Sequence, residues 1–200
     1  MNILEIFTNS ILLIITLDNE LWDIILLSLF VSFTALIIAS LLGFIVGYYF
    51  AIYNFYFKKI ILIIINSLMG IPPVVVGLIV YFIFASGGPL GILQLLYTPS
   101  AMIIAQTIII FPIIASLSHE IFSKNWFEFK DQIRSLNIPF WGSVKLLFNH
   151  SYFLLITTLL SAFGRAISEV GAVMIVGGNI DHYTRVMTTA ISLETRMGNL

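Results

Sequence analysis

The chain contains no cysteine, which excludes a disulfide framework and any thiolate metal site. Charge is almost as scarce. Asp, Glu, Lys and Arg make up 10% of the 200 residues, against roughly a quarter in a soluble domain. No charged side chain occurs from Ile24 to Ile52, and none from Ile60 to Ser118. The net charge of -1 offers no basic face for phosphates, so nucleic acid is excluded as a partner. The first residues lack the basic start of a cleaved signal peptide, and Glu5 stands where Lys or Arg is expected. There is no nucleophile elbow, no HExxH and no phosphate-binding loop. His119, His150 and His182 share no metal-ligand spacing and read as surface or interface residues. No catalytic residue, metal ligand or cofactor site is therefore expected on this chain.

Hydrophobic side chains fill the space that charge leaves, at 60% of the sequence. A hydrocarbon core about 30 Å thick needs roughly 20 apolar residues per helix. Four spans meet that demand, at about 21–52, 60–85, 99–118 and 151–176. Trp22 opens the first, and Tyr48, Tyr49 and Tyr53 close it, as amphipathic rings at an interface do. The second holds Gly70, Pro72, Pro73 and Gly77, so it is expected to be kinked or broken. Broken backbone survives at membrane depth only where protein or a cavity satisfies it. The stretch 3–17 is apolar but short, and residues 1–20 are expected to form an interfacial helix.

Orientation follows from basic residues in short loops. Lys58 and Lys59 mark the loop 53–59, and Lys124, Lys130, Arg134 and Lys145 mark the loop 119–150. The Gly/Pro turn 86–98 and the segment before Asp23 carry no Lys or Arg. The two basic loops are therefore expected in the cytoplasm, with the turn and the tail 177–200 outside.

The loop 119–150 has internal pattern. Phe129, Ile133 and Leu136 are spaced to share one face of a helix over 128–136. Asn137 suits a left-handed stop, and Pro139 suits the start of a second helix. Such a helix–turn–helix is either a docking element or an ordered connector. Within the fourth span, Arg165 and Glu169 are spaced i, i+4, so one ion pair on one helix face is expected. Charge at that depth implies function or a bundle interior. A packing pair is favoured over a polar collar on an anion path, because an anion gains nothing from Glu169. Ala162, Gly164, Ala166, Ser168, Gly171 and Ala172 favour close helix contact there.

These strings resemble a known family. Gly70-Ile71-Pro72-Pro73-Val74-Val75-Val76-Gly77, followed by Gly87-Gly88-Pro89-Leu90-Gly91, is similar to the molybdate/tungstate/sulfate branch of binding-protein-dependent ABC transporter permeases. Its tungstate-type members are resembled by Tyr97-Thr98-Pro99-Ser100-Ala101-Met102-Ile103-Ile104-Ala105-Gln106, by Gly164-Arg165-Ala166-Ile167-Ser168-Glu169-Val170-Gly171-Ala172 and by Gly177-Gly178-Asn179-Ile180, with Thr184-Arg185 after it. The likeness covers about 21–198. The family's cytoplasmic signature is degenerate here. Asp131-Gln132-Ile133 stands at its EAA position, Arg134-Ser135-Leu136 follows, and Asn137 replaces its Gly. Leu147 takes the Ile of its I-x-L-P ending, whereas Asn149 and His150 replace Leu-Pro.

The resemblance implies an all-α polytopic bundle of the type I ABC importer permease fold, lacking the last span that returns the family's C-terminus to the cytoplasm. It implies a transport subunit, not an enzyme, in a bacterial or archaeal plasma membrane, surrounded by lipid. The expected partners are an ATP-binding cassette ATPase, which carries ATP and Mg, an extracytoplasmic oxyanion-binding protein and a second copy of the chain. The cargo expected is tungstate, then molybdate. The alternatives are another oxyanion such as sulfate, or a secondary anion transporter. Residues 131–137 (Asp131, Gln132, Ile133, Arg134, Ser135, Leu136, Asn137) would couple to the ATPase. The candidate path or gate residues are Pro72, Pro73, Gly77, Arg165, Glu169, Thr188, Thr189 and Ser192.

Overall fold

The structure, a computed structural model, describes residues 18–198. The interfacial helix expected over 1–20 falls mostly on 1–17, outside the described residues. Seven α-helices run in order: α1 Asn19–Ile52, α2 Lys58–Leu68, α3 Pro73–Phe84, α4 Pro99–Ser135, α5 Phe140–Ile167, α6 Gly171–Gly177 and α7 Met187–Met197, with a 3-10 turn Gly91–Leu93 before α4. Among the described residues, α1, α4 and α5 are long and apolar enough to cross a membrane, and the α2/α3 pair makes a fourth crossing if taken as one broken span.

Local chemistry sets these boundaries. Asp18 Oδ1 accepts the N–H of Leu21 at 3.0 Å, capping α1 where orphan donors collect. Pro72 disfavours helical backbone at Ile71, and α2 stops at Leu68. Pro73 then opens α3, at the one helical position where a missing N–H costs nothing. The expected break in the second span is thus where the prolines put it. Pro99 opens α4 in the same way, with Thr98 Oγ1 accepting the N–H of Ala101 at 3.4 Å.

The chain divides into two compact units. Among the described residues, one comprises 18–34, 73–106 and 167–198, and the other 35–72 and 107–166. In the second unit, α1 buries Ala35, Ala39 and Gly43 in a small-residue stripe. A Cβ on Gly43 would meet Ile114 of α4 at 2.8 Å, and Ser118 Oγ donates to the Gly43 carbonyl at 3.3 Å. In lipid, where apolar surface gains nothing by leaving solvent, close backbone approach is what holds helices together. An aromatic cluster extends this contact. Tyr48 packs edge-on against Phe122 at 5.7 Å, Phe122 lies 4.9 Å from Phe148, and Tyr48 Oη lies 3.2 Å from Ser143 Oγ. In the first unit, α3 crosses α6 so tightly that a Cβ on Gly77 would lie 2.8 Å from Ala172 Cα.

Charge separates by unit as well. Among the described residues the first unit carries Asp18, Glu20, Asp23, Glu169, Asp181 and Glu194 against Arg185 and Arg196. The second carries Lys58, Lys59, Lys124, Lys130, Arg134, Lys145 and Arg165 against Glu120, Glu128 and Asp131. The basic side chains gather in the unit that holds the two loops assigned to the cytoplasm.

Three helix boundaries differ from the sequence reading. α4 does not stop near Ser118 but runs 37 residues to Ser135, or roughly 55 Å at 1.5 Å per residue. α5 begins at Phe140, so most of the stretch 119–150 is helix rather than loop. The fourth span is not one helix over 151–176. It ends at Ile167, and α6 starts after a break at 168–170. The tail, in turn, is folded: Met187 N–H donates to Ser28 Oγ at 2.7 Å, seating the start of α7.

The α4–α5 turn has the geometry of a Schellman stop. Ile138 N–H donates to the Ile133 carbonyl at 3.0 Å, and Asn137 N–H to that of Arg134 at 3.1 Å. Asn137 has φ 47°, the left-handed conformation expected of it.

Two stability outcomes follow. Gly77→Val should lower the stability of the detergent-solubilised protein by about 1–3 kcal/mol through overpacking, whereas Gly87→Ala, with open space around the new methyl, should not; thermal unfolding followed by circular dichroism reads both. Asn137→Val should cost about 1–2 kcal/mol through its left-handed φ, and Asn137→Gly should be neutral or stabilising in the same assay.

Candidate functional site

Two constellations carry the candidate residues. The first is the α4–α5 turn. Asp131, Gln132, Arg134, Ser135, Leu136 and Asn137 are all exposed, whereas Ile133 is buried. The stripe expected of Phe129, Ile133 and Leu136 holds for its first two members only. Phe129 packs against the aromatic core and, edge-on, against His150 at 4.7 Å. Leu136 follows the last residue of α4, keeps the helical bond from its N–H to the Gln132 carbonyl at 3.0 Å, and is 72% exposed. Beside it Phe140 and Trp141 open α5, with Trp141 77% exposed. An exposed apolar patch rimmed by Asp131, Gln132 and Arg134 is the composition of an interaction surface.

The second constellation was expected to be a path or gate. Pro72 and Pro73 sit at the α2/α3 break, and Gly77 at the α3/α6 crossing. Arg165 lies in the last turn of α5, where a cation suits the helix dipole. Glu169 lies two residues beyond the end of α5, buried at the α5/α6 break, where its Oε1 accepts the N–H of Ala172 at 3.1 Å. Thr188 Oγ1 donates to the Glu169 carbonyl at 2.8 Å, so the break and the start of α7 are fastened together.

Thr189 is fully buried, and its Oγ1 accepts the N–H of Val186 at 3.0 Å. It closes the entry to α7. Ser192 is half-buried on α7. Ser28, Ser32, Gln106, Glu169 and Thr188 together line a cavity of ≈ 10 Å³, at the threshold for a single water and far too small for an oxyanion. This group is a closed polar knot that holds three helices and the break in register.

The sequence reading missed Ser28 and Ser32, and met Gln106 and Thr184 only inside resembling strings, with no role given. The signal was present as two serines spaced i, i+4 in a span with no charge, since polar groups in lipid face protein interior. Thr184 Oγ1 donates to the Gly177 carbonyl at 2.6 Å and accepts the N–H of Ile180 at 2.9 Å, tying down the loop before α7. Arg185 pairs with Asp181 at 2.8 Å and approaches Glu20 at 3.8 Å. Among the described residues no group of His, Asp or Glu could hold a metal ion.

Known proteins are similar to this chain in sequence. The tungstate uptake system permease protein TupB of Peptoclostridium acidaminophilum is 40% identical over 197 residues, 98% of this chain and 86% of that protein. A protein of Haloferax volcanii described as a probable anion ABC transporter permease is 38% identical over 178 residues, 86% of this chain and 77% of its own length. The TupB of Campylobacter jejuni is 41% identical over 147 residues, 73% of this chain and 61% of that protein. The model of the binding-protein-dependent transport system inner membrane components matches residues 39–199. That match takes in the α4–α5 turn, the α5/α6 break and α7. The chain is a multi-pass helical transport subunit of the plasma membrane, and it belongs to the family of binding-protein-dependent transport system inner membrane components.

Proposed function

We propose that the chain is the permease of an ATP-driven importer for tungstate, with molybdate as the next candidate cargo, and that it works as a symmetric pair. The observation that carries the cargo is the 40% identity to a tungstate uptake permease across 98% of the chain. The family supports two kinds of partner, an ATP-binding cassette ATPase that binds ATP and Mg on the inner side and an oxyanion-binding protein on the outer side. Lipid surrounds the remaining apolar faces.

In this reading residues 131–137 enter a cleft on the ATPase. Leu136 and Trp141 supply the apolar contact, and Arg134 supplies the polar one. The continuity of α4 from Pro99 to Ser135 supports a mechanical role. A helix transmits displacement along its length without a hinge, except where Pro112 interrupts its ladder. Closure of the ATPase pair would push the turn, and α4 would carry that motion into the membrane. Arg165, Glu169 and Thr188 then act at the α5/α6 break, holding the α7 entry in register while the bundle switches. Pro72 and Pro73 give the opposing break, where freed backbone can rearrange.

The test is uptake in cells that express this chain with its ATPase and binding protein. Tungstate uptake should resist excess sulfate and yield to molybdate. Equal competition by sulfate would assign a broader oxyanion importer, and uptake without any ATPase would assign a secondary transporter. Arg134→Glu should lower uptake at least about tenfold by reversing a charge at a protein interface and should weaken co-purification of the ATPase. Unchanged uptake and co-purification would overturn the docking role of the turn.

A further inference from the structure

The helix α5 presents two exposed faces of opposite chemistry. Phe153, Ile156 and Leu160 form one, with Phe153 68% and Leu160 65% exposed. Such a face suits acyl chains. Thr157 and Ser161, one turn apart and both exposed, form the other beside it. Together with Leu154 they look into a cleft of ≈ 550 Å³ between α4 and α5, which continues past His150 to Glu120, Lys124 and Glu128 on α4.

We infer that this cleft is a water-filled wall of the translocation path, with Thr157 and Ser161 lining its membrane portion and Glu120, Lys124 and Glu128 its cytoplasmic mouth. The inference deepens the importer reading above and rests on it. Three physical points carry it. First, the cleft opens at the protein surface, and Asn125, His150, Thr157 and Ser161 offer water partners along it among its apolar residues. Second, ionisable groups do not face acyl chains, so the end that holds Glu120, Lys124 and Glu128 is open to bulk water.

Third, the cleft is built for passage rather than capture. Thr157 Oγ1 already donates to the Phe153 carbonyl at 3.0 Å, and Ser161 Oγ to that of Thr157 at 2.9 Å. Their hydroxyl protons are occupied, so no ready cluster of donors waits for an oxyanion. Lys124 stands between Glu120 and Glu128 at i, i+4 spacing on both sides, so the mouth carries two carboxylates for one ammonium and sets no net cationic trap for a dianion. Conduction needs sites that solute can enter and leave, and this wall hydrates an anion without holding it.

The absence of native cysteine makes the test direct. Single-cysteine variants Thr157→Cys, Ser161→Cys, Ile156→Cys and Leu160→Cys are placed in the full chain, assembled with its ATPase, in inverted membrane vesicles. A charged, membrane-impermeant methanethiosulfonate is the probe. Thiolate is the reactive species and apolar surroundings suppress it, so the first two should label at least about tenfold faster than the last two. Equal rates would overturn the inference. So would a Ser161→Cys that stays unlabelled and cross-links to its counterpart in a second copy, which would mark a subunit interface. Ser161→Phe should abolish tungstate uptake with the ATPase still bound, while Leu160→Phe should retain it. Full uptake by Ser161→Phe would show that solute passes elsewhere. Absence of tungstate uptake in the unsubstituted protein, with the labelling contrast intact, would count against the cargo and leave the water-lined wall standing.

Discussion

Lipid gives no hydrogen bonds to backbone, and every feature of this chain is shaped by that constraint. Uncharged stretches longer than a bilayer is thick must be helical. Helices in lipid gain little from apolar burial, so they are held by close approach and by the few polar groups left to them. Gly43 against Ile114 and Gly77 against Ala172 are approaches of the first kind. The Ser28–Met187 and Thr188–Glu169 hydrogen bonds are ties of the second kind. Where the ladder is interrupted, at 69–72 and at 168–170, the second interruption is satisfied in part by the Glu169 carboxylate.

The same constraint explains the economy of the polar surface. Basic side chains concentrate in one unit, and the apolar residues exposed there include Leu136, Phe140 and Trp141 at the α4–α5 turn. A turn that offers an apolar patch among charges, at the end of a helix of 37 residues, has the form of a handle. Its Schellman geometry fixes the handle to the shaft: the Ile138 and Asn137 amides close on Ile133 and Arg134. Asn137 tolerates the left-handed backbone that this closure demands.

Much of this was legible in the sequence, and the failures have a common cause. The prolines at 72 and 73 announced their break, and Asn137 its left-handed stop, because backbone chemistry is local. Charge was a poor guide to helix ends. It marks where a segment leaves lipid, and α4 leaves lipid without ceasing to be a helix, so the loop read from Ser118 onward was largely α4 itself. Glu169 was placed on a helix face because nothing in Ala166 to Gly171 forbids helix. The structure shows that the chain breaks there and that the Glu169 carboxylate caps the helix that follows. Thr189 looked available as a hydroxyl and is consumed by its own helix entry, a fate that composition does not reveal.

The central claim is that the polar excursion around the α4–α5 turn lies on the inner side of the membrane, where an ATPase can grip it. Labelling of Lys130 and Lys145 with a membrane-impermeant acylating reagent tests it most directly. The account predicts modification in inverted vesicles and protection in intact cells. Modification of either lysine from outside intact cells would contradict it, because the handle would then face away from any source of ATP.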